Sequence, residues 1–245
     1  MKKILCIGNS FSQDASRYVW GISRADGQEI KIVNLYIGGC DFARHFRNML
    51  SENRAYAFEI NGMVRTGIKV SLKEALLMED WDFITFQQHS LQAADYETYR
   101  PYLDRLVEYV RQLCPKAKHM VFQTWGYEEG SKKLQSTPFS SHKDMFLALK
   151  KGYAEAKEGI GADGLIPGGE AIYAAVERNL PNIYRDSFHM SLGFGRYLLG
   201  LLFFGTMIGE KIEDNAFCDF DEPMTEEEIR AAKEIAVSVL YGNTK

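Results

Sequence analysis

The 245 residues contain no C-x-x-C pair, and the four cysteines, Cys6, Cys40, Cys114 and Cys218, share no spacing. That excludes a zinc knuckle or a redox dithiol as the organising chemistry. Four reduced, mostly buried thiols are expected instead. Neither a phosphate-cradling G-x-x-x-x-G-K nor a metalloprotease H-E-x-x-H occurs. Lysine and arginine form no run and the net charge is -4, which argues against a nucleic-acid partner. The apolar stretch 197–208 is far short of a membrane span. With no repeat and no linker rich in proline, glycine or serine, a single domain over 1–245 is expected. The opening Met1-Lys2-Lys3 is followed by only four apolar residues, too few for the core of a secretory signal. The chain as given is therefore expected in the cytoplasm, or outside it if a signal peptide has been removed.

What is present is an ordinary globular composition, 46% hydrophobic and 25% charged, long enough to bury a sizeable core. Short apolar runs at 3–7, 30–37, 83–87, 120–124 and 164–166 read as five parallel strands covered on both faces, because they are near-continuous rather than alternating. Helical periodicity links Tyr99, Tyr102, Leu106, Val110 and Leu113, with Pro115 just beyond. Ser71-Leu72-Lys73-Glu74 and Thr225-Glu226-Glu227-Glu228 are capping boxes that open two more helices, the second burying Ile229, Ala232, Ala236 and Val239. This order predicts an α/β protein with a doubly wound, mostly parallel five-stranded sheet. Asn61-Gly62 between 57–60 and 63–66 predicts a small inserted β-hairpin.

Ser10 stands where the first strand ends, at the strand edge where doubly wound folds gather their active sites. There it fits a nucleophile whose own N–H helps stabilise an oxyanion, and equally a helix cap, since Ser10-Phe11-Ser12-Gln13 is also a capping box. Ser12 is a weaker nucleophile candidate. Asp186 lies three residues before His189, near enough in a turn to hold Nδ1–H and leave Nε2 as a base. Gly38-Gly39 follows the second strand, where the N–H of Gly39 could be a second oxyanion donor or merely part of a turn. Gln87-Gln88-His89-Ser90 ends the third parallel strand. Gln88 is the preferred third donor there, with Gln87 and Ser90 close behind. Asn9, Gln87, Ser90 and Trp125 are the expected substrate contacts, and Trp125, Tyr127 and His142 could wall a cleft. His45, His119 and His142 read as satisfied or exposed histidines. Gly159 to Gly164 matches G-x-G-x-x-G but precedes a strand rather than a helix, which excludes a dinucleotide loop.

These residues resemble the SGNH (GDSL-like) hydrolase superfamily, especially an uncharacterised branch opening with Gly-Asn-Ser-Phe-Ser. Gly8-Asn9-Ser10 is similar to its Gly-Asp-Ser block, Asn34 to Gly39 to its second block, and Asp186-Ser187-Phe188-His189 to its last. The third block departs: Gln87-Gln88-His89-Ser90-Leu91 stands where Gly-x-Asn-Asp is usual. The resemblance implies a flavodoxin-like three-layer α/β/α fold and hydrolysis of an O-acyl ester, often acetyl from a carbohydrate, through an acyl-Ser10. Asp186 and His189 would complete the catalytic triad, and Ser10, Gly39 and Gln88 the oxyanion hole. The expected partner is a small-molecule ester such as an acetylated carbohydrate, with no metal or organic cofactor and no membrane. Two other readings stand beside it: a non-catalytic carbohydrate-binding protein on this scaffold, and a flavodoxin-like flavin protein with residues 8–12 as a phosphate loop.

Overall fold

The computed structural model describes residues 1–64, 66–209 and 211–242. Its seven strands are β1 (Lys2–Gly8), β2 (Ile30–Tyr36), β3 (Tyr56–Ile60), β4 (Lys69–Val70), β5 (Phe83–Phe86), β6 (Lys118–Phe122) and β7 (Gly164–Ile166). They form one sheet in the order β4-β3-β2-β1-β5-β6-β7. β2, β1, β5, β6 and β7 run parallel, as their apolar runs predict. Ile4, Leu5, Cys6 and Ile7 of the central strand are all fully buried, which requires cover on both faces of the sheet.

The hairpin is where sequence and structure part. Asn61 and Gly62 do form the turn, both with positive φ as a tight hairpin requires. Among the described residues only Ile60 and Met63 bridge beside it, and the returning strand is β4, beginning at Lys69. Arg65, within the expected second arm, lies outside the described residues. The unit is also no appendage. β3 pairs antiparallel with β2, and β4 with β3, so the sheet has seven strands rather than five.

Ten α-helices are described: α1 (Ser10–Ser16), α2 (Val19–Ala25), α3 (Phe42–Ser51), α4 (Leu72–Leu77), α5 (Tyr102–Leu113), α6 (Lys132–Gln135), α7 (His142–Gly159), α8 (Gly168–Glu177), α9 (Phe194–Met207) and α10 (Glu226–Tyr241). Both capping boxes form as read, at Ser71 for α4 and Thr225 for α10. Ala232 and Ala236 of α10 are buried with Ile235, while Ile229 and Val239 are half-covered. The periodic segment from Tyr99 is split: Tyr96–Tyr99 is a 3-10 turn and α5 starts at Tyr102, after Pro101. The apolar stretch at 197–208 falls in α9, which is buried on nearly all sides between α1, α2, α8 and α10. Among the described residues no helix is long and apolar enough to cross a membrane.

The parallel strands enter the sheet with the reversal between β1 and β5, which are neighbours although far apart in sequence. A doubly wound sheet opens a crevice at such a reversal, outside the carboxyl ends of its strands. Ser10 and His89 both stand three residues beyond the paired positions Ile7 and Phe86, at that crevice.

Candidate active site

The turn after β1 settles what Ser10 does locally. Asn9, not Ser10, caps α1: its Oδ1 accepts from the Phe11 N–H at 3.0 Å. Gln13 does not reach back but donates to Glu59 at 2.5 Å. The Ser10 hydroxyl is thus released from capping. Gly8 is needed because a Cβ there would lie 2.7 Å from Gln87 Oε1, the atom that accepts the Asn9 N–H. Ser12 faces inward, wholly buried beside the Cys6 thiol, and cannot meet a substrate.

Across the crevice, residues 185–190 form an irregular loop. Asp186 uses both carboxylate oxygens on one residue, Oδ1 accepting from the His189 N–H and Oδ2 facing His189 Nδ1, each at 2.8 Å. An ionised carboxylate only accepts, so Nδ1 carries the ring proton and Nε2 is left as an acceptor. Ser10 Oγ lies 2.8 Å from that Nε2. Burial opposes ionisation of Asp186, but the hydrogen bonds from the His189 ring and backbone outweigh it, and its carboxyl sits below the ordinary value. Ser187, between them, takes the left-handed φ of 71°, a strained conformation for a residue with a side chain. The Glu128 N–H donating to Ser187 O at 2.8 Å helps hold it.

The Gly38-Gly39 turn lies exposed at the mouth, with Gly39 at φ 60° and the turn closed by Cys40 N–H donating to Ile37 O. Asn9 ties it to the serine turn, Nδ2 donating to Cys40 O at 3.0 Å. Asn9 therefore joins the loops after β1, β2 and β5. It is only 1% exposed, and Gln87, Ser90 and Trp125 are no more exposed than that, so all four are packed into the scaffold rather than presented as open surface in the crevice. Gln87 accepts the Asn9 N–H, Ser90 Oγ meets Tyr127 Oη at 2.7 Å, and Trp125 Nε1 donates to Phe188 O at 2.8 Å. These residues build the site from behind, as do the buried Tyr127 and His142. His45 and His119 are buried as well; burial pushes His45 down to about 3, so it stays neutral against Tyr56 Oη.

Gln88 is also turned away. Its Oε1 accepts from Phe42 N–H and His89 N–H, while Nε2 donates to the carbonyl and hydroxyl of Thr98. With its amide protons committed there, Gln88 is not available as an oxyanion donor. The next residue, His89, is half-buried and its Nδ1 has no hydrogen-bond partner among the described residues. Burial lowers its pKa, with Asp41 opposing and Lys133 assisting.

Two further groups escape sequence reasoning. Phe188 lies tilted against the His189 ring with centroids 4.0 Å apart, and Phe11 flanks the same ring at 5.7 Å. Asp14, one turn after Ser10 on α1, is fully buried; Oδ1 pairs with Arg185 at 2.8 Å and Arg196 at 2.9 Å, and Oδ2 accepts the Met190 N–H at 3.1 Å. It binds both sides of His189 to the helix that carries Ser10. Its partners lie more than 170 residues away, so no local pattern announces it. Three of the four cysteines are buried, and burial pushes Cys6 up to about 12, leaving an inert thiol. Among the described residues no cluster of histidine, cysteine and carboxylate side chains is arranged to hold a metal.

Comparison with known proteins gives this geometry a setting. The model of a family described as a domain of unknown function, DUF4886, matches residues 3–238. The structure is similar to that of a DUF4886 family protein from Bacteroides uniformis, with 29% identity, a TM-score of 0.89, and coverage of 99% of this chain and 96% of the other. It is also similar to a candidate SGNH hydrolase from Slackia heliotrinireducens, at 25% identity and a TM-score of 0.60, covering 85% of this chain and 99% of the other. A catalytic mutant of an acetylxylan esterase from Geobacillus stearothermophilus shares the fold at 14% identity and a TM-score of 0.55, covering 85% and 95% of the two chains. No match was found among the curated proteins.

Proposed function

The chain belongs to the DUF4886 family, whose fold here is that of the SGNH hydrolases, and from that premise we propose that it is a serine esterase acting through an acyl-Ser10 intermediate. The observation that carries this reading is the continuous line Asp186 Oδ2, His189 Nδ1, His189 Nε2, Ser10 Oγ, with 2.8 Å at each contact between residues. Hydrolase and esterase neighbours support the general activity.

In the proposed reaction Ser10 Oγ attacks the ester carbonyl carbon while His189 Nε2 takes its proton. Electrons move onto the carbonyl oxygen, which accepts hydrogen bonds from the N–H groups of Ser10 and Gly39. His89 takes the third position in place of Gln88, as a neutral ring able to donate. Collapse breaks the bond to the alcohol oxygen, and His189 gives that oxygen its proton. Water then repeats the sequence on the acyl-enzyme, freeing the acid and Ser10. The preferred ester is an O-acetyl group on a carbohydrate, by analogy with the acetylxylan esterase of the same fold.

A fluorophosphonate probe and an ester panel test this together. Wild type should label and turn over acetyl esters, and Ser10→Ala should do neither. His89→Ala should label but lose about a hundredfold in kcat, the effect of removing one oxyanion donor. A wild-type protein that neither labels nor hydrolyses any ester would leave the non-catalytic binding reading in its place.

A further inference from the structure

Above the crevice stands a cation that the proposed chemistry leaves unused. Lys133 is an exposed residue of α6, a single turn in the long connection between β6 and α7. Ser131 caps that turn, its hydroxyl accepting from the Leu134 N–H at 3.1 Å, and Leu134 is buried beneath it. The anchored turn sets Lys133 over two aromatic rings, with Nζ 4.9 Å from the Phe188 centroid and 5.7 Å from that of Tyr127. Phe188 in turn lies 4.0 Å from the His189 ring. Taken end to end, these separations keep the ammonium within about 9 Å of the His189 ring centre. On the other bank, burial lowers the pKa of His89 and the charge of Lys133 adds to that effect, so this ring is near it as well. A cation close to both His189 and His89 overhangs the space into which an ester for Ser10 must come.

That charge meets no opposite charge within the chain. Among the described residues Lys133 has no carboxylate or carbonyl partner, and the two ring faces alone hold its ammonium. The carboxylates of the crevice are already committed. Asp186 uses both oxygens on His189. Asp41 accepts from the Arg44 N–H at 2.7 Å and from Gln92 Nε2 at 3.1 Å. Ring faces hold an ammonium from one side and leave N–H donors free on the others. An oxygen of a carboxylate, sulfate or phosphate would satisfy those donors through a charge-assisted hydrogen bond. A lysine is a compact point charge, so it takes any of these anions without requiring a bidentate fit.

We propose that Lys133 is a specificity-determining residue whose ammonium receives an anionic group carried by the ester, a ring's width from the carbonyl that Ser10 attacks. The assignment rests on the esterase reading and narrows its substrates to esters that bear a negative charge. The anion belongs to the acyl or to the alcohol portion, and the test separates the two.

Two substrate pairs make that test. Acetoxybenzoate and acetoxybenzamide, both para-substituted, differ by one charge on the alcohol portion. The nitrophenyl monoester of adipic acid and nitrophenyl heptanoate differ by one on the acyl portion. For the pair whose anion reaches Lys133, the ratio of kcat/KM for the charged to the neutral ester should fall about fivefold in Lys133→Met, chiefly through KM, and further in Lys133→Glu. Lys132→Met removes the same charge one residue away and should leave the ratio at its wild-type value. Added salt should shrink the difference, since an exposed contact is screened. A fall in one pair only identifies the portion that carries the anion. A ratio that Lys133→Met leaves unchanged in both pairs, or that Lys132→Met lowers equally, overturns the anion site while leaving the esterase standing. Should wild type cleave no ester, ligand-observed NMR of the two charged esters with Ser10→Ala decides. Signal lost on adding Lys133→Met supports the site although the esterase reading has failed. Signal from neither ester, or signal that survives Lys133→Met, overturns it.

Discussion

Two carboxylates hold the loop that presents His189, and they do so in opposite ways. Asp186 is local: it sits three residues from the histidine, is 45% exposed on its side chain, and orients a ring. Asp14 is remote: it belongs to α1, is fully buried, and fixes the backbone and two arginines on either side of the same histidine. Asp186 acts on the tautomer that the proposed chemistry needs, whereas Asp14 acts on whether the two distant ends of the chain meet at all. Orientation and assembly have thus been assigned to different residues.

The sharpest break in that comparison is Asp186→Asn. An amide can donate toward Nδ1 as well as accept, so the ring is no longer held with its proton on the far side from Ser10. A drop in kcat on the order of 10³ to 10⁴ is expected, with the urea midpoint of unfolding close to that of wild type. A variant that retained activity would show that His189 needs no carboxylate to orient it, and would move the burden of the site onto Asp14. Partial exposure sets the lower end of that range, because water can replace some of what Asp186 provides.

Asp14→Ala should invert the pattern. It leaves Arg196, 11% exposed on its side chain, and Arg185 without their buried partner, and it removes the acceptor for the Met190 N–H. Breaking a buried pair in this way costs about 3–5 kcal/mol of stability. Equilibrium unfolding in urea measures it as a lowered midpoint. The molecules that remain folded should keep Asp186 against His189, so fluorophosphonate labelling per folded molecule should fall far less than in Asp186→Asn. Equal losses of labelling in the two variants would erase the distinction between orienting and assembling.

The same division explains what could be read from the sequence. Strand β1 and the four parallel strands beside it were legible because burial on both faces leaves an unbroken apolar run. The capping boxes at Ser71 and Thr225 were legible because each is closed within four residues. The Asp186–His189 spacing is of that local kind. The capping reading of Ser10 failed because Asn9, one residue earlier, took the cap, and Gln13 was drawn off by Glu59 on β3. Gln88 was misread for a related reason: a strand-end amide looks free until the 3-10 turn bearing Thr98 folds over it. Asn9, Gln87, Ser90 and Trp125 were read as substrate contacts, but all four are buried in the scaffold, because sequence does not say which side of a loop a polar group faces. The hairpin turn at Asn61-Gly62 was fixed by its own backbone, whereas the pairing of its arms depended on β2 offering an open edge.

The smallest expected effect isolates Asp186 by pH. Because the folded-state value of Asp186 lies below its unfolded one, near ~3.9, its hydrogen bonds contribute to stability above that pH. The contribution is lost as pH falls through the lower, folded-state value. Urea midpoints measured from about pH 5 down to about pH 3 should therefore decline more steeply in wild type than in Asp186→Asn, whose amide does not titrate. The difference should be slight, since a half-exposed carboxylate is well screened, and should shrink further in added salt. A parallel decline in the two proteins would mean that the bonds to His189 orient the ring without stabilising the fold, so that the structural and catalytic roles at this loop are separate even within one side chain.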